Sequence, residues 1–130
     1  ETHIYLNLTK KKVCSNRANK CWPVATGNKA NPTPYVPGPH YITTKKTKGF
    51  IWQNPFTKQI FPAGTHNLGN IWIGILKQSN GIEVGFHTTP TPNIPLNEQS
   101  SLGGCVRMTA KDILEFSNNV NYLDKIYIVK

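Results

Sequence analysis

The sequence predicts one mainly β domain with a single short helix, spanning residues 1–130. Short apolar runs alternate with 10 glycines and 10 prolines, a pattern typical of strands joined by loops rather than of long helices. A chain of 130 residues has the length of one ordinary domain with its own core. Hydrophobic residues make up 38% of the chain, and this excludes a disordered composition.

Membrane spans and targeting segments bear on where the protein is located. No apolar run reaches the ~18 residues that cross a bilayer, so the sequence predicts no membrane span. The chain begins at Glu1 rather than Met. We interpret it as a mature or trimmed polypeptide whose targeting segment lies outside it.

The predicted strands follow one another along most of the chain. HIYLNL alternates apolar and polar residues, as a half-buried strand does, and a lysine-rich turn leads from it to a second strand, CWPVAT. The prolines of GNKANPTPYVPGPHYI allow only loop and edge strand, and FIWQNPFTKQIFPAGTHNLG favours short extended pieces. IWIGIL and IEVGFH are the clearest core strands, separated by the turn residues QSNG, and KIYIV predicts a last strand.

One loop and one helix complete the predicted order. Residues 88–104 form a long polar loop, and a loop of this length is usually functional or disordered. Thr109 can then cap a helix, with Asp112 placed three residues later as in a capping box. Apolar residues at positions 113, 114, 116 and 120 indicate a short amphipathic helix.

The formal charge of +9 is concentrated in the first half of the chain. Residues 1–62 hold ten Lys and Arg against one acid, and residues 63–130 hold five against five. The basic half therefore suits a polyanion such as nucleic acid, an anionic lipid surface or an acidic wall polymer. The alternative is that these lysines are solvated hairpin tips; they are Lys10, Lys11, Lys12, Lys45, Lys46 and Lys48.

The three cysteines divide into a local pair and a remote one. Cys14 and Cys21 flank SNRANK, with strand-like segments on either side. An antiparallel hairpin would bring them within the Cα distance of a disulfide and would imply an oxidising compartment. Cys105 would then be the free thiol. Two reduced, unrelated cysteines are the alternative.

Cys105 and His87 together predict a nucleophile and its base. His87 ends an apolar strand, and Cys105 follows Gly103 and Gly104, which permit positive φ and converging peptide N–H groups. Such donors would lower the pKa of the thiol and stabilise an oxyanion. Cys–His pairs of this kind perform acyl transfer through a thioester. The alternative is a buried structural thiol.

The order of these motifs resembles the L,D-transpeptidase family with the YkuD-type catalytic domain. In that family a strand ends in His-Gly-Thr, a loop follows, and Ser/Thr-His-Gly-Cys then precedes an apolar residue and Arg. His87 and Cys105 are separated by 18 positions, close to the family's spacing, and PVATG, PTPYVPGPHYI and NLGNIWIGI are similar to its earlier segments. The matching positions are His87, Thr89, Pro90, Gly104, Cys105, Val106, Arg107 and Met108. The chain departs from the pattern at Thr88, Leu102 and Gly103, where Gly, Ser/Thr and His are usual.

The resemblance implies a β-sandwich-like fold and an enzyme of the bacterial cell envelope, periplasmic or secreted. Cys105 would attack the bond between diaminopimelate and D-alanine in a peptidoglycan tetrapeptide donor, with His87 as base. An amine acceptor, on another stem peptide or a wall protein, would take the acyl group. Gly104 and Cys105 are the candidate oxyanion N–H groups, and Thr89, Gly103 and His66 are candidates for lining the substrate groove. The two roles open to Arg107 are binding a substrate carboxylate and pinning the loop to the sheet.

Several alternatives differ in function rather than in fold. Water as acceptor would make the protein an L,D-carboxypeptidase, and the changes at Leu102 and Gly103 would suit a catalytically silent peptidoglycan-binding relative. A nucleic-acid surface built on Trp22, Trp52 and Trp72 is disfavoured, because tryptophans in strand-like segments usually pack in the core. His66 can also be an ordinary loop histidine. The histidines lack the close spacings of zinc ligands, so we expect no metal site. We also expect that the protein needs no cofactor and is a monomer.

Overall fold

The computed structural model describes residues 3–27, 32–36, 38–65, 69–79, 81–88 and 104–130. Within these ranges the chain forms two main sheets, a small two-stranded sheet and one helix. The elements in chain order are β1 (His3–Asn7), β2 (Lys12–Ser15), β3 (Lys20–Pro23), β4 (His40–Tyr41), β5 (Thr44–Lys46), β6 (Trp52–Gln53), β7 (Ile60–Phe61), β8 (Trp72–Lys77), β9 (Glu83–His87), β10 (Val106–Arg107), α1 (Ala110–Asn118) and β11 (Lys125–Val129).

The first main sheet joins the two ends of the chain. Its five strands lie in the order β3-β2-β1-β11-β4, and β1 runs parallel to β11 in the register Ile4 to Ile126. The hairpin β2–β3 extends one side, and β4 closes the other side as an antiparallel edge strand. The position of β4 agrees with the edge strand that its prolines predict.

The second main sheet carries the two strands with the clearest apolar pattern. Its order is β10-β9-β8-β5, with β8 and β9 antiparallel and β9 and β10 parallel. β5 pairs antiparallel with the outer side of β8, and β6 and β7 form the separate two-stranded sheet. Strand β9 is therefore flanked on both sides, and His87 ends this central strand.

One hydrophobic core draws side chains from both main sheets and from the helix. Phe116 of α1 packs edge-on against Trp22, with ring centroids 5.4 Å apart, and against Phe86 at 4.8 Å. Burial of aromatic side chains such as these is the largest favourable term in a domain of this size. The fully buried members of the core include Ile4, Leu6, Val13, Ile73, Val84, Val106, Ile113, Val120, Ile126 and Ile128.

The mainly β architecture with one helix after the cysteine is confirmed, but three strands differ from the prediction. β2 lies between the lysine-rich turn and β3, so this turn does not lead directly to CWPVAT. β5 and β10 were not predicted, because strands of two or three residues are too short for a periodic pattern. Their backbone partners come from the second sheet.

The helix begins where its cap predicts. The Thr109 hydroxyl accepts a hydrogen bond from the Asp112 N–H at 3.1 Å, and α1 starts at Ala110. Ile113 and Phe116 are buried, but Leu114 is 55% exposed and does not belong to the core face. Within the described ranges, no helix is long and apolar enough to cross a membrane.

Cys14 and Cys21 lie opposite each other in the β2–β3 hairpin. They are register partners with their Cα atoms 4.0 Å apart, and a disulfide joins them. The third cysteine, Cys105, has a free and buried thiol.

Candidate active site

His87 lies on the face of the second sheet that points away from the core. Val84 and Phe86 of the same strand belong to the core, so the alternation of a strand places Glu83, Gly85 and His87 on the opposite face. The His87 ring is almost parallel to that of Trp72, its register partner on β8, with centroids 6.1 Å apart and 21° between the planes.

The backbone fixes both the position and the tautomer of His87. Its carbonyl accepts a hydrogen bond from the Met108 N–H at 2.8 Å. Its Nδ1 lies 2.7 Å from the carbonyl oxygen of Thr88. Since a carbonyl oxygen can only accept, Nδ1 carries the proton, and Nε2 is the basic nitrogen of the neutral ring. A residue that is 4% exposed and held in this way presents one defined base.

Cys105 directly precedes β10, and the pairing of β10 sets its distance from His87. Val106 and Arg107 pair with Phe86 and His87 in parallel register, so Cys105 lies beside Gly85. Positions 85 and 87 of one strand are about 7 Å apart. The thiol and the imidazole therefore project from neighbouring strands on the same side of the sheet. Cys105 also packs in a small cluster with Phe50 and Trp72.

The thiol is buried, and its acidity differs from the expectation. Burial raises the pKa of Cys105 to about 11, a backbone hydrogen bond from Gly85 lowers it, and the negative charge of Glu83 raises it further. Donors near the thiol were expected to lower the pKa, and this prediction is wrong because loss of solvation outweighs them. The Cys105 Sγ–H has the Glu83 carbonyl oxygen as a weak acceptor at 3.9 Å. The resting side chain of Cys105 is therefore a neutral thiol.

Gly104 lies in a tight turn, and the surrounding residues leave no room there for a side chain. Its φ of +76° is the left-handed conformation, and an added Cβ would lie 2.7 Å from the Pro32 carbonyl oxygen. The Thr33 hydroxyl donates to the Gly104 carbonyl oxygen at 2.7 Å and accepts from the Gly27 N–H at 2.8 Å. The early Pro-Thr-Pro segment, residues 32–34, thus supports the residue before Cys105.

Arg107 is 6% exposed and follows Cys105 by two positions. Its backbone exchanges two hydrogen bonds of 2.8 Å with Ala25, and this pairs the early segment with β10. Cys105 and His87 are buried to a similar degree, so both roles of Arg107, pinning the loop and binding a substrate carboxylate, stay predictions.

A cavity of about 370 Å³ opens beside Cys105. Its volume is typical of a small-ligand site. The indole of Trp72 forms one wall, and its Nε1–H donates to the Glu83 carboxylate. The lining residues are Thr44, Lys46, Phe50, Ile51, Trp52, Gln53, Pro55, Trp72, Gly81, Ile82, Glu83 and Cys105.

Glu83, Trp72 and Lys46 belong to the site but were not predicted from the sequence as its chemical groups. A signal was available for two of them, because the period of two in IEVGFH and IWIGIL places Glu83 and Trp72 on the non-core face. No pattern could show that Lys46 of β5 pairs with Trp72 of β8.

Three predicted site residues, His66, Thr89 and Gly103, lie outside the described residues, as does nearly all of the predicted loop 88–104. The described residues bring Cys105, His87, Gly104 and Arg107 to one edge of the second sheet. Among these same ranges, no three His, Cys, Asp or Glu side chains are grouped so as to hold a metal ion.

Comparison with known proteins gives one family. The sequence profile of the L,D-transpeptidase catalytic domain, YkuD, matches residues 1–128. No curated protein matches the sequence of the chain.

Solved structures of L,D-transpeptidases share the fold. L,D-transpeptidase 1 of Mycobacterium tuberculosis has a TM-score of 0.62 at 15% identity, over 99% of this chain and 59% of that one. L,D-transpeptidase 3 of the same organism, in complex with a faropenem-derived adduct, has a TM-score of 0.68 at 16% identity, over 99% of this chain and 60% of that one. An L,D-transpeptidase of Stackebrandtia nassauensis has a TM-score of 0.64 at 20% identity, over 99% of this chain and 55% of that one. The chain therefore spans less than two thirds of the length of these structures.

Proposed function

The chain belongs to the L,D-transpeptidase catalytic domain family, and we propose that it is a cysteine acyltransferase acting on peptidoglycan stem peptides. The observation that carries the proposal is that Trp72 contacts both residues, because its ring stacks on that of His87 and it packs in one cluster with Cys105. Cys105 lines a cavity of about 370 Å³, and the tautomer-defined base His87 lies on the neighbouring strand. The donor is a tetrapeptide cleaved between diaminopimelate and its terminal D-alanine.

The first half-reaction forms a thioester. As Sγ of Cys105 attacks the scissile carbonyl carbon, His87 Nε2 takes the thiol proton. The N–H groups of Gly104 and Cys105 are the proposed donors to the oxyanion. The intermediate then expels the amine of D-alanine, which receives the proton from His87. Because the pKa of the resting thiol is about 11, proton transfer to His87 must accompany the attack.

The second half-reaction transfers the acyl group to an amine. The acceptor amine attacks the thioester carbon and gives a proton to His87, and the Sγ of Cys105 leaves and is reprotonated. The energy of the original amide is retained in the thioester, so the exchange needs no ATP. The products of the two alternative acceptors are a cross-link between diaminopimelate residues and a protein attached to the wall.

The compartment follows from the disulfide and the charge. A disulfide between Cys14 and Cys21 is stable outside the reducing cytosol. We therefore propose a cell-envelope location, periplasmic or secreted. Residues 1–62 hold ten basic residues against one acid, and this charge suits an anionic wall polymer as a neighbour.

The test uses purified protein and disaccharide-tetrapeptide. We expect release of D-alanine and a dimeric muropeptide joined between diaminopimelate residues. Faropenem should add covalently to Cys105 and be detected by mass spectrometry. Cys105→Ala should abolish both products and the adduct. His40→Ala is the control and should retain them, because this histidine is hydrogen-bonded to the Val36 carbonyl oxygen and is not part of the proposed site.

Other outcomes distinguish the alternatives. Release of D-alanine without a dimer would support the L,D-carboxypeptidase. Absence of both products and of the faropenem adduct would contradict an enzyme and favour the silent peptidoglycan-binding relative.

A further inference from the structure

The cavity beside Cys105 contains two opposite charges that the proposed chemistry does not use. Glu83 and Lys46 both line it, from β9 and β5. Neither side chain forms an ion pair with any other residue that the structure describes. Lys77, the register partner of Glu83 on β8, lies outside the lining of the cavity. Two separate charges of opposite sign in the lining of one cavity suit a ligand that is itself a zwitterion.

Two neutral donors hold the Glu83 carboxylate in place, and two nearby glycines leave room for the carboxylate and for the Trp72 ring. Oε1 accepts from the Trp72 indole, and Oε2 accepts from the Thr44 hydroxyl at 3.3 Å. A Cβ on Gly74 would lie 2.6 Å from Oε1, and a Cβ on Gly85 would lie 2.8 Å from the Trp72 ring. A side chain at position 74 would displace the carboxylate, and one at position 85 would also meet the Ile73 carbonyl oxygen at 2.5 Å. A carboxylate offers about four lone-pair positions, so it can still accept from a ligand.

The Lys46 ammonium is held above an aromatic ring of the same cavity. Its Nζ lies 5.6 Å from the centroid of Phe50, within the range of a cation–π contact. Lys46 is the register partner of Trp72, and Thr44, two positions earlier, bonds Glu83. The two charges are therefore connected through adjacent residues of β5 and β8, and both line the cavity that Cys105 also lines.

We propose that Glu83 and Lys46 form a subsite that binds the ammonium and the carboxylate at the side-chain end of the donor's diaminopimelate residue. This inference rests on the proposed function, because it concerns the donor of the same reaction. In diaminopimelate both groups sit on one carbon, three methylenes from the centre that carries the scissile carbonyl. Glu83 binds the ammonium, and Lys46 binds the carboxylate. Lysine, which has the ammonium alone, satisfies only half of the subsite.

Occupation of the subsite also affects the nucleophile. The charge of Glu83 is one of the causes that raise the pKa of Cys105. An ammonium bound to Glu83 would offset that charge and make the thiolate easier to form. Recognition of the correct donor would then assist proton transfer to His87.

The experiment measures binding, so it does not depend on turnover. The Cys105→Ala protein is titrated by calorimetry with four tetrapeptides that differ only in the third residue. Diaminopimelate has both groups, lysine has the ammonium, 2-aminopimelate has the carboxylate and norleucine has neither. A charge-assisted hydrogen bond predicts about tenfold weaker binding for each group that is missing.

Variants assign each group to its residue. In the same background, Glu83→Gln should abolish the preference for diaminopimelate over 2-aminopimelate and keep the preference over lysine. Lys46→Met should do the reverse. Glu115→Gln, in an exposed pair with Lys20, and Lys45→Met, which faces the Val120 carbonyl, are the matched controls and should change neither ratio.

Each result decides the inference. Equal binding of all four peptides, no binding, or ratios unchanged by Glu83→Gln and Lys46→Met would overturn the subsite. If the ratios change as expected while the wild type makes no product and no faropenem adduct, the subsite stands and the proposed reaction fails.

Discussion

The hydroxyl of Thr33 donates a hydrogen bond of 2.7 Å to the carbonyl oxygen of Gly104, across 71 positions of the sequence. The same hydroxyl accepts from the Gly27 N–H, so it joins the early segment to the residue before Cys105. Thr33 is 7% exposed, and water does not readily replace the bond. The orientation of the Gly104–Cys105 peptide, whose N–H is a proposed oxyanion donor, therefore depends on a residue far from the catalytic motif.

We expect Thr33→Val to slow acylation of Cys105 by faropenem. Valine keeps the shape of threonine but leaves the Gly104 carbonyl and the Gly27 N–H without this partner, a loss of about 1–3 kcal/mol in stability. Mass spectrometry gives the acylation rate, and chemical denaturation gives the free energy of unfolding. Thr33→Ser keeps the hydroxyl and serves as the control. Equal rates in the valine and serine variants would show that the bond does not support the site.

Gly104→Ala should destabilise the protein more than Gly81→Ala does. Both glycines have positive φ, so each substitution carries about 1–2 kcal/mol of left-handed strain. Only at Gly104 does the new Cβ also meet an atom, the Pro32 carbonyl oxygen at 2.7 Å, whereas nothing lies within 4 Å at Gly81. Thermal or urea unfolding of the two variants measures the difference. An equal loss of stability would mean that the early segment yields to the side chain.

We expect His87→Ala to lower the acylation rate by about 10² or more, the usual effect of losing a general base. The resting thiol, with its pKa near 11, cannot supply enough thiolate at neutral pH to compensate. Stopped-flow or quenched mass spectrometry with faropenem checks the rate, and circular dichroism checks that the variant is folded. Wild-type kinetics in a folded His87→Ala protein would exclude the residue as the base.

The reactivity of Cys105 should rise with pH in a range above that of an ordinary thiol. Alkylation by iodoacetamide requires the thiolate, so its rate should climb toward a midpoint near pH 11 in the folded protein. In Glu83→Gln the midpoint should fall, because removal of a negative charge favours the thiolate. Denatured protein provides the reference of an exposed cysteine. A midpoint near that reference in the folded wild type would contradict burial as the dominant cause.

Thiol titration in denaturant without reductant should find one free thiol. Cys14 and Cys21 are joined, so peptide mapping should assign the modified residue to Cys105. Protein recovered from an oxidising compartment is the appropriate sample. Three titratable thiols in that sample would remove the disulfide and the argument for the cell envelope.

The parts of the fold that the sequence determined by itself are those with local causes. The period of two in IWIGIL and IEVGFH follows from strand geometry and places Ile73 and Phe86 in the core. The Thr109 cap depends on a residue three positions away, and the β2–β3 hairpin joins Cys14 to Cys21 over a sequence separation of 7. Such contacts need no knowledge of the rest of the chain. The order of the motifs around His87 and Cys105 was likewise sufficient to indicate the family.

The tertiary structure decided the features that depend on residues distant in sequence. The parallel pairing of β1 with β11, the position of β10 beside β9 and the bond from Thr33 to Gly104 each join segments whose local patterns carry no information about the partner. The acidity of Cys105 was predicted with the wrong sign, because desolvation is a property of the whole surroundings and not of the preceding glycines. Glu83 and Lys46 come together for the same reason: the ladder from β9 through β8 to β5 brings an acid and a base to one cavity.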